Sequence, residues 1–256
     1  MAVIALTSAS GSPGVTTTTL GLAMSWPRPV LVVEADPTGG SGLLSGFFRG
    51  TREYDGGLIE LAWSATDLAD ALSSVVRPIE GTHVSFLAGT RSHHQAGGLR
   101  ESWEPLAEAL ADLESSGQDV IVDAGRLGLV GSPEPLLERA DLTLLLTRTN
   151  LPALAAARSW AESIRRDSTG LDHRVVVLVG EGQPYRSAEV SKVLGLPVLA
   201  AIADDPDAAA VYHRGATPPS RFETGGLARS LRAAVEATSG HVRRTRAELL
   251  VGGASS

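Results

Sequence analysis

The chain has 256 residues, 43% of them hydrophobic and 20% charged, with a formal net charge of −7; this suits one sizeable α/β core and excludes wholesale disorder. Cysteine is absent, which excludes disulfide scaffolds, thiolate–zinc sites and cysteine nucleophiles. The six histidines are scattered apart from His93 and His94, which argues against a metal centre, and the apolar runs, such as residues 142–146, fall far short of the roughly 20 residues that cross a bilayer.

In chain order, short β-branched runs alternate with longer Ala-, Leu- and Arg-rich segments, the pattern of βαβ units around a parallel sheet. The opening Met-Ala-Val-Ile-Ala-Leu has no basic residue before Arg28 and fits a first buried strand better than a secretory leader, so a cytoplasmic location is expected. Strands are predicted at Val3–Thr7, Val30–Glu34, His83–Leu87, Asp119–Asp123, Leu142–Thr147, Arg174–Val179 and Val198–Ile202. They are apolar along most of their length, as strands covered on both faces are. Helices are predicted at Thr17–Ser25, Thr66–Ser74, Trp103–Ser115, Pro152–Asp167, Ser187–Leu194 and Gly226–Thr238, with Gly and Pro at the junctions. The expected fold is therefore an α/β, doubly wound, mostly parallel sheet of about seven strands with helices on both faces. One domain is expected over residues 1–239, followed by a basic, flexible tail at 240–256.

Between the first strand and the first helix lies Ser8-Ala-Ser-Gly-Ser-Pro-Gly-Val-Thr-Thr-Thr-Thr19. A small-residue loop of this kind wraps an anion with backbone N–H groups while the helix N-terminus adds partial positive charge. A ligand-free tight turn reads equally well from this segment alone, and the threonine run would cap a helix start whatever the ligand. Glu34 and Asp36, spaced i, i+2, would share a strand face and suit a metal with its waters, or else a solvated strand end.

The loop resembles the deviant Walker A loop of ParA/MinD-type P-loop ATPases, K-G-G-V-G-K-T-T. Val30-Leu-Val-Val-Glu-Ala-Asp-Pro-Thr-Gly39 is similar to the family's second-strand element, and Asp119-Val-Ile-Val-Asp-Ala-Gly125 to its Walker B strand. Val84–Gly89, Ala140–Thr147 and Leu194–Ile202 follow in family order, so the resemblance spans roughly residues 1 to 215. It implies a P-loop NTPase-like fold and ATP or ADP with magnesium as cofactor. The nucleotide would be held by Gly11, Ser12, Gly14, Val15, Thr16, Thr17 and Asp123. Magnesium would be held by Thr16, Asp36 and Asp123, with Asp36 also ordering the catalytic water network.

Against G-x-x-x-x-G-K-[ST], the chain reads Ala9-Ser-Gly-Ser-Pro-Gly14-Val15-Thr16. Val15 stands where the phosphate-pairing lysine would be, Ser10 where the family's signature lysine would be, and Pro13 supplies no N–H. Of 22 Lys and Arg residues only Lys192 is lysine. A lost lysine–phosphate hydrogen bond costs about 1.5–3 kcal/mol and a lost neutral N–H about 0.5–1.5 kcal/mol. Together these would lower affinity by several orders of magnitude and slow hydrolysis further, since the same cations stabilise the transition state. Arg28, Arg49 and Arg52 are the nearest arginines in sequence, and folding could bring Arg126 close.

The expectation is a degenerate member, a pseudo-ATPase or very slow ATPase that recruits or positions a partner complex of pilus, secretion, chromosome or septum machinery. The lysine-poor Gly-Thr/Ser loop, the Asp-Pro-Thr-Gly-Gly stretch at 36–40 and Leu87-Ala-Gly-Thr-Arg91 resemble TadZ/CpaE-type relatives most. The alternatives are a competent ATP-dependent switch with its cation supplied in trans, and an interaction scaffold that never binds nucleotide. The sixth strand runs into Gly180-Glu-Gly-Gln-Pro184, where family members often carry an asparagine toward adenine. His93-His94 reads as solvated and the tryptophans at 26, 63, 103 and 160 as packing anchors. The family also implies a homodimer. Arg229, Arg232, His241, Arg243, Arg244 and Arg246 form either a solvated helical face or a weak non-specific DNA contact through Arg243, Arg244 and Arg246. The Ala-Glu-Leu-Leu-Val that follows is too short and weakly apolar for strong membrane anchoring.

Overall fold

The computed structural model describes residues 2–10, 13–66, 68–113, 117–167 and 173–253. β1 (Val3–Ser8), β2 (Val30–Glu34), β3 (Arg77–Pro78), β4 (Val84–Leu87), β5 (Asp119–Arg126), β6 (Leu142–Arg148), β7 (Arg174–Val179) and β8 (Val198–Ile202) form one sheet in the order β3-β4-β2-β5-β1-β6-β7-β8. All neighbouring pairs are parallel except β3 with β4. The doubly wound parallel sheet is as expected, with eight strands rather than about seven. The additional strand, β3, is a two-residue antiparallel edge containing Pro78, too short to show alternation and at the sheet position where proline is tolerated.

The helices are α1 (Val15–Met24), α2 (Leu58–Ala62), α3 (Leu68–Val75), α4 (His93–Ala96), α5 (Trp103–Asp112), α6 (Glu134–Arg139), α7 (Leu151–Asp167), α8 (Ser187–Leu194), α9 (Pro206–Arg214) and α10 (Gly226–Gly253). Alternate strand residues feed opposite faces. Ile4, Leu6, Val32, Ile121, Leu144 and Val177 pack under α1, α9 and α10. Ala5, Leu31, Val33 and Val122 pack under α2, α3, α5 and α6, and Leu145, Val176 and Leu178 under α7 and α8. Burial on both faces explains why these strands read as continuous apolar runs. α9 begins at Asp205, whose side chain accepts from Ala208 N at 3.1 Å, with Pro206 in its first turn. This is a cap signature that the sequence carries.

α10 continues past the predicted end at Thr238, and residues 240–253, expected to lie in a flexible tail, are helical. Two contacts hold the extension: Val242 is buried in the core, and Arg246 Nη2 pairs with Asp141 Oδ1 at 2.7 Å. The other oxygen of Asp141 accepts from Val3 N at 2.8 Å. Arg246 is thus a docking residue of α10, while Arg243 and Arg244 are exposed. Farther up the helix, Arg229 and Arg232 donate to the carbonyls of Thr224 and Glu223. Among the described residues no helix is long and apolar enough to cross a membrane.

At the start of β5 the fully buried Asp119 gathers three donors: Ala2 N at 2.6 Å, Trp26 Nε1 at 2.7 Å and Arg28 Nη2 at 2.7 Å. Trp26 and Trp103 are buried anchors as expected, whereas Trp63 is 76% exposed. Arg28 is half exposed, so the loss of Asp119 would cost mainly through the buried donors Ala2 N and Trp26 Nε1 left unpaired, together about 2–6 kcal/mol. Asp119→Ala is therefore expected to lower the urea-unfolding free energy by about that amount. Trp26→Phe, which removes one donor to the carboxylate, is expected to cost about 1.5–3 kcal/mol.

Candidate functional site

β1 lies between β5 and β6, at the point where the strand order reverses, and ligands of open α/β sheets bind beyond the carboxyl ends of strands there. A cleft of roughly 700 Å³ occupies this place. Its floor is Ser8, Pro13, Gly14 and the first turn of α1. One wall carries Asp36, Thr38, Gly125 and Arg126, and the other Arg148, Val179, Ile202 and Asp204. Leu227 and Leu231 of α10 supply apolar surface.

Gly14 caps α1 in a left-handed conformation, φ +94°, which a side chain would strain. The first backbone bond of the turn is Thr18 N to Gly14 O at 2.8 Å, so the N–H groups of Val15, Thr16 and Thr17 precede the ladder as orphan donors. No acidic residue stands in the first turn of α1 to neutralise the helix terminus. Val15 lines the cleft and is also a nearly buried member of the core. Gly11 and Ser12 lie outside the described residues.

Thr16 hydrogen-bonds the buried carboxylate of Asp123, which also accepts from Gly125 N at 3.0 Å. Burial pushes the Asp123 pKa up to about 6, and nearby Asp36 adds to the rise, while the Thr16 and Gly125 bonds oppose it. Asp36 accepts from both the N–H and the hydroxyl of Thr38 at 2.8 Å. It packs so closely on Gly125 that a Cβ there would run into its carboxyl group, and Gly125 also holds φ +61°. Glycine is therefore required at 125 on two counts. Thr16, Asp36 and Asp123, the three residues expected around magnesium, converge in the structure. Among the described residues no group of three or more His, Cys, Asp or Glu could hold an ion unaided, so a divalent cation here would take its remaining ligands from phosphate and water.

Glu34 departs from the expectation of a carboxylate pair. β2 ends at Glu34, and the bond from Ala35 N to Asp123 O at 2.8 Å is the last rung of its ladder with β5, so Asp36 lies beyond the strand and its alternation. The Glu34 side chain is buried and does not line the cleft. It accepts from the Ser41 hydroxyl, from Leu43 N at 2.9 Å and from Gly89 N at 3.4 Å. It organises the turn after β2. Burial raises its pKa to about 7 despite these bonds, with the Asp123 charge adding to the rise.

The cleft arginines lie far in sequence from the loop. Arg148 Nη1 pairs with Asp204 Oδ2 at 2.6 Å, bridging the ends of β6 and β8. Arg126 follows Gly125 at the end of β5, opposite Ser8 in register, and makes no ion pair with any described residue. Arg28 and Arg52 are engaged elsewhere, by Asp119 and Glu80. Arg148 and Asp204 had no sequence signal, because their pairing joins positions 56 apart. His93 and His94 are exposed, with ring centroids 3.8 Å apart.

No family model matches the chain. Two uncharacterized proteins of Mycobacterium tuberculosis, from strains CDC 1551 and H37Rv, are each 28% identical over 234 residues, covering 84% of this chain. The chain spans 58% of the length of these relatives. Among solved structures, the cell division ATPase MinD of Pyrococcus furiosus superposes with a TM-score of 0.73 at 18% identity, covering 93% of this chain and 98% of that one. The septum site-determining protein MinD of Pyrococcus horikoshii, solved with Mg-ADP, gives 0.71 at 16% identity, covering 93% and 95%. A ParA family ATPase of Chlorobium tepidum gives 0.69 at 15% identity, covering 91% and 98%. The fold is that of the MinD and ParA P-loop ATPases.

Burial of Glu34 carries a pH signature. Its pKa is about 7 folded against 4.5 for the unperturbed group, so between these values the folded state holds a proton that the unfolded chain releases. The associated stability is present below about pH 4.5 and is lost as pH rises through 7, by on the order of 3 kcal/mol. Unfolding free energy measured from pH 4.5 to 7.5 should fall less steeply in Glu34→Gln than in the parent chain. Parallel profiles would remove Glu34 as the source.

Proposed function

We propose that the chain is a degenerate ParA/MinD-type protein that holds a nucleotide weakly, hydrolyses it slowly or not at all, and recruits or positions a partner complex. The observation that carries this reading is the combination in one cleft of Thr16, Asp36 and Asp123 with a nearly buried valine at position 15. The parts that would order a metal and its waters are kept, and the ammonium that would grip the phosphates is missing.

The residues fit a magnesium nucleotide in shape and donor chemistry, apart from this charge deficit. Orphan N–H groups at Val15, Thr16 and Thr17 would cradle a phosphate, the Thr16 hydroxyl would face the ion, and Asp36 and Asp123 would orient its waters. Magnesium, when bound, offsets phosphate charge. Val179, Leu227 and Leu231 offer apolar surface at the far end of the cleft. With the P-loop lysine absent, transition-state charge on a transferring phosphoryl group goes largely uncompensated by this chain. Weak binding without turnover follows.

A role in recruitment is supported by an apolar groove of roughly 460 Å³ between α7 and α8. It is lined by Leu151, Leu154, Tyr185 and Val193, of which Leu151 is 67% and Val193 47% exposed. Exposed apolar surface of this kind suits a protein partner. The assignment to pilus or secretion machinery rests on the resemblance of the loop to TadZ/CpaE-type proteins, and a cytoplasmic site of action accompanies it. Homodimerisation, and DNA contact through the exposed Arg243 and Arg244, belong to the same reading.

Calorimetric titration with Mg-ADP and Mg-ATP, alongside phosphate release, tests this function. Weak saturable binding with no sustained release is expected. Tight ADP binding with steady turnover would overturn it in favour of a competent switch, and silence up to millimolar nucleotide would favour a nucleotide-independent scaffold. The Ser10→Lys/Val15→Lys double variant is expected to bind Mg-ADP at least tenfold more tightly than the parent chain. Unchanged affinity would mean that the loop no longer presents a phosphate cradle.

A further inference from the structure

We infer that Arg126 is the phosphate-binding cation of this cleft, taking over from the end of β5 the charge that the loop lacks. The inference rests on the nucleotide-binding reading and names the residue that makes binding attainable without a P-loop lysine. Two arginines line the cleft. Arg148 is bridged to Asp204 through both guanidinium nitrogens, at 2.6 and 3.4 Å. Arg126 is exposed, lines the same cleft and has no ion-pair partner among the described residues.

The placement of Arg126 is built by backbone geometry. Gly125 adopts φ +61°, the β1–β5 register shifts between Leu6 and Ser8, and Ser8 faces Arg126. Thr7 Oγ1 donates to Gly125 O at 3.1 Å and Leu127 N to Ser8 O at 2.9 Å. These bonds lock both sides of Arg126 to the strand end from which the loop departs. Asp36 is packed on Gly125 and takes both Thr38 bonds on one oxygen, and it forms no ion pair with Arg126 among the described residues. Two carboxylates and an anionic ligand in one cleft would repel one another, and a guanidinium with its fork of donors is suited to offset that charge.

Titration calorimetry of the parent chain, Arg126→Ala and Arg126→Lys with Mg-ADP and with inorganic pyrophosphate tests the inference. Arg126→Ala is expected to weaken both ligands by about tenfold to a hundredfold, as loss of a charge-assisted contact does. Arg126→Lys, which keeps the charge but not the fork, should fall between the parent chain and Arg126→Ala, and the unfolding midpoint should be unchanged in both variants. Equal affinity of Arg126→Ala and the parent chain for both ligands overturns the role of Arg126 and leaves the nucleotide reading standing. Binding of pyrophosphate that depends on Arg126, with no binding of ADP, supports Arg126 and overturns the nucleotide reading. No binding of either ligand overturns both.

Discussion

The cleft depends above all on the parallel pairing of β1 with β5. Val3 to Leu6 align with Val120 to Asp123, after which the register shifts so that Ser8 meets Arg126. That single pairing sets the start of the loop between β1 and α1 beside the carboxylate that bonds Thr16. It also sets the left-handed turn at Gly125 beside Asp36. β2 joins from the other side, aligning Glu34 with Asp123, so three carboxylates from two chain segments, Glu34 and Asp36 after β2 and Asp123 on β5, are drawn to one end of the sheet. Parallel strands make this convergence possible because all their carboxyl ends point the same way.

Bringing carboxylates together under low solvent access has an electrostatic cost, and the chain meets it unevenly. Asp123 keeps a threonine hydroxyl and a backbone N–H, and Asp36 is held by Thr38 at the cleft surface. Glu34, also buried, takes three donors, yet burial still raises its pKa to about 7. Local turns relieve the crowding: the chain after Glu34 folds back so that Ser41 and Leu43 serve that carboxylate, keeping it out of the cleft.

Much of the sheet was legible in the sequence because strands buried on both faces write themselves as unbroken apolar runs. The bounds of β2, β7, β8 and α8 coincide with the predicted ones. β3 was not legible because two residues at an edge carry no period. The length of α10 was not legible because Gly240 resembles a helix stop, while the contacts that carry the helix through it, Val242 in the core and Arg246 on Asp141, come from distant strands. Thr16, Asp36 and Asp123, expected together from ordered motifs, lie close together at the cleft. The burial of Glu34 and the bridging of Arg148 to Asp204 depend on partners as far as 55 and 56 positions away, which local pattern cannot encode.

α1 runs from the cleft to the opposite rim of the sheet, where Trp26, just beyond the helix, is bonded to Asp119. The helix is therefore a strut about 15 Å long with its far end moored. Sliding it by the rise of one residue, about 1.5 Å, would unseat the indole from a carboxylate that also secures the first residues of the chain. The spacing of the floor of the cleft is thus dictated from the opposite rim. Substitutions in the loop alter its chemistry on a frame whose dimensions they do not control.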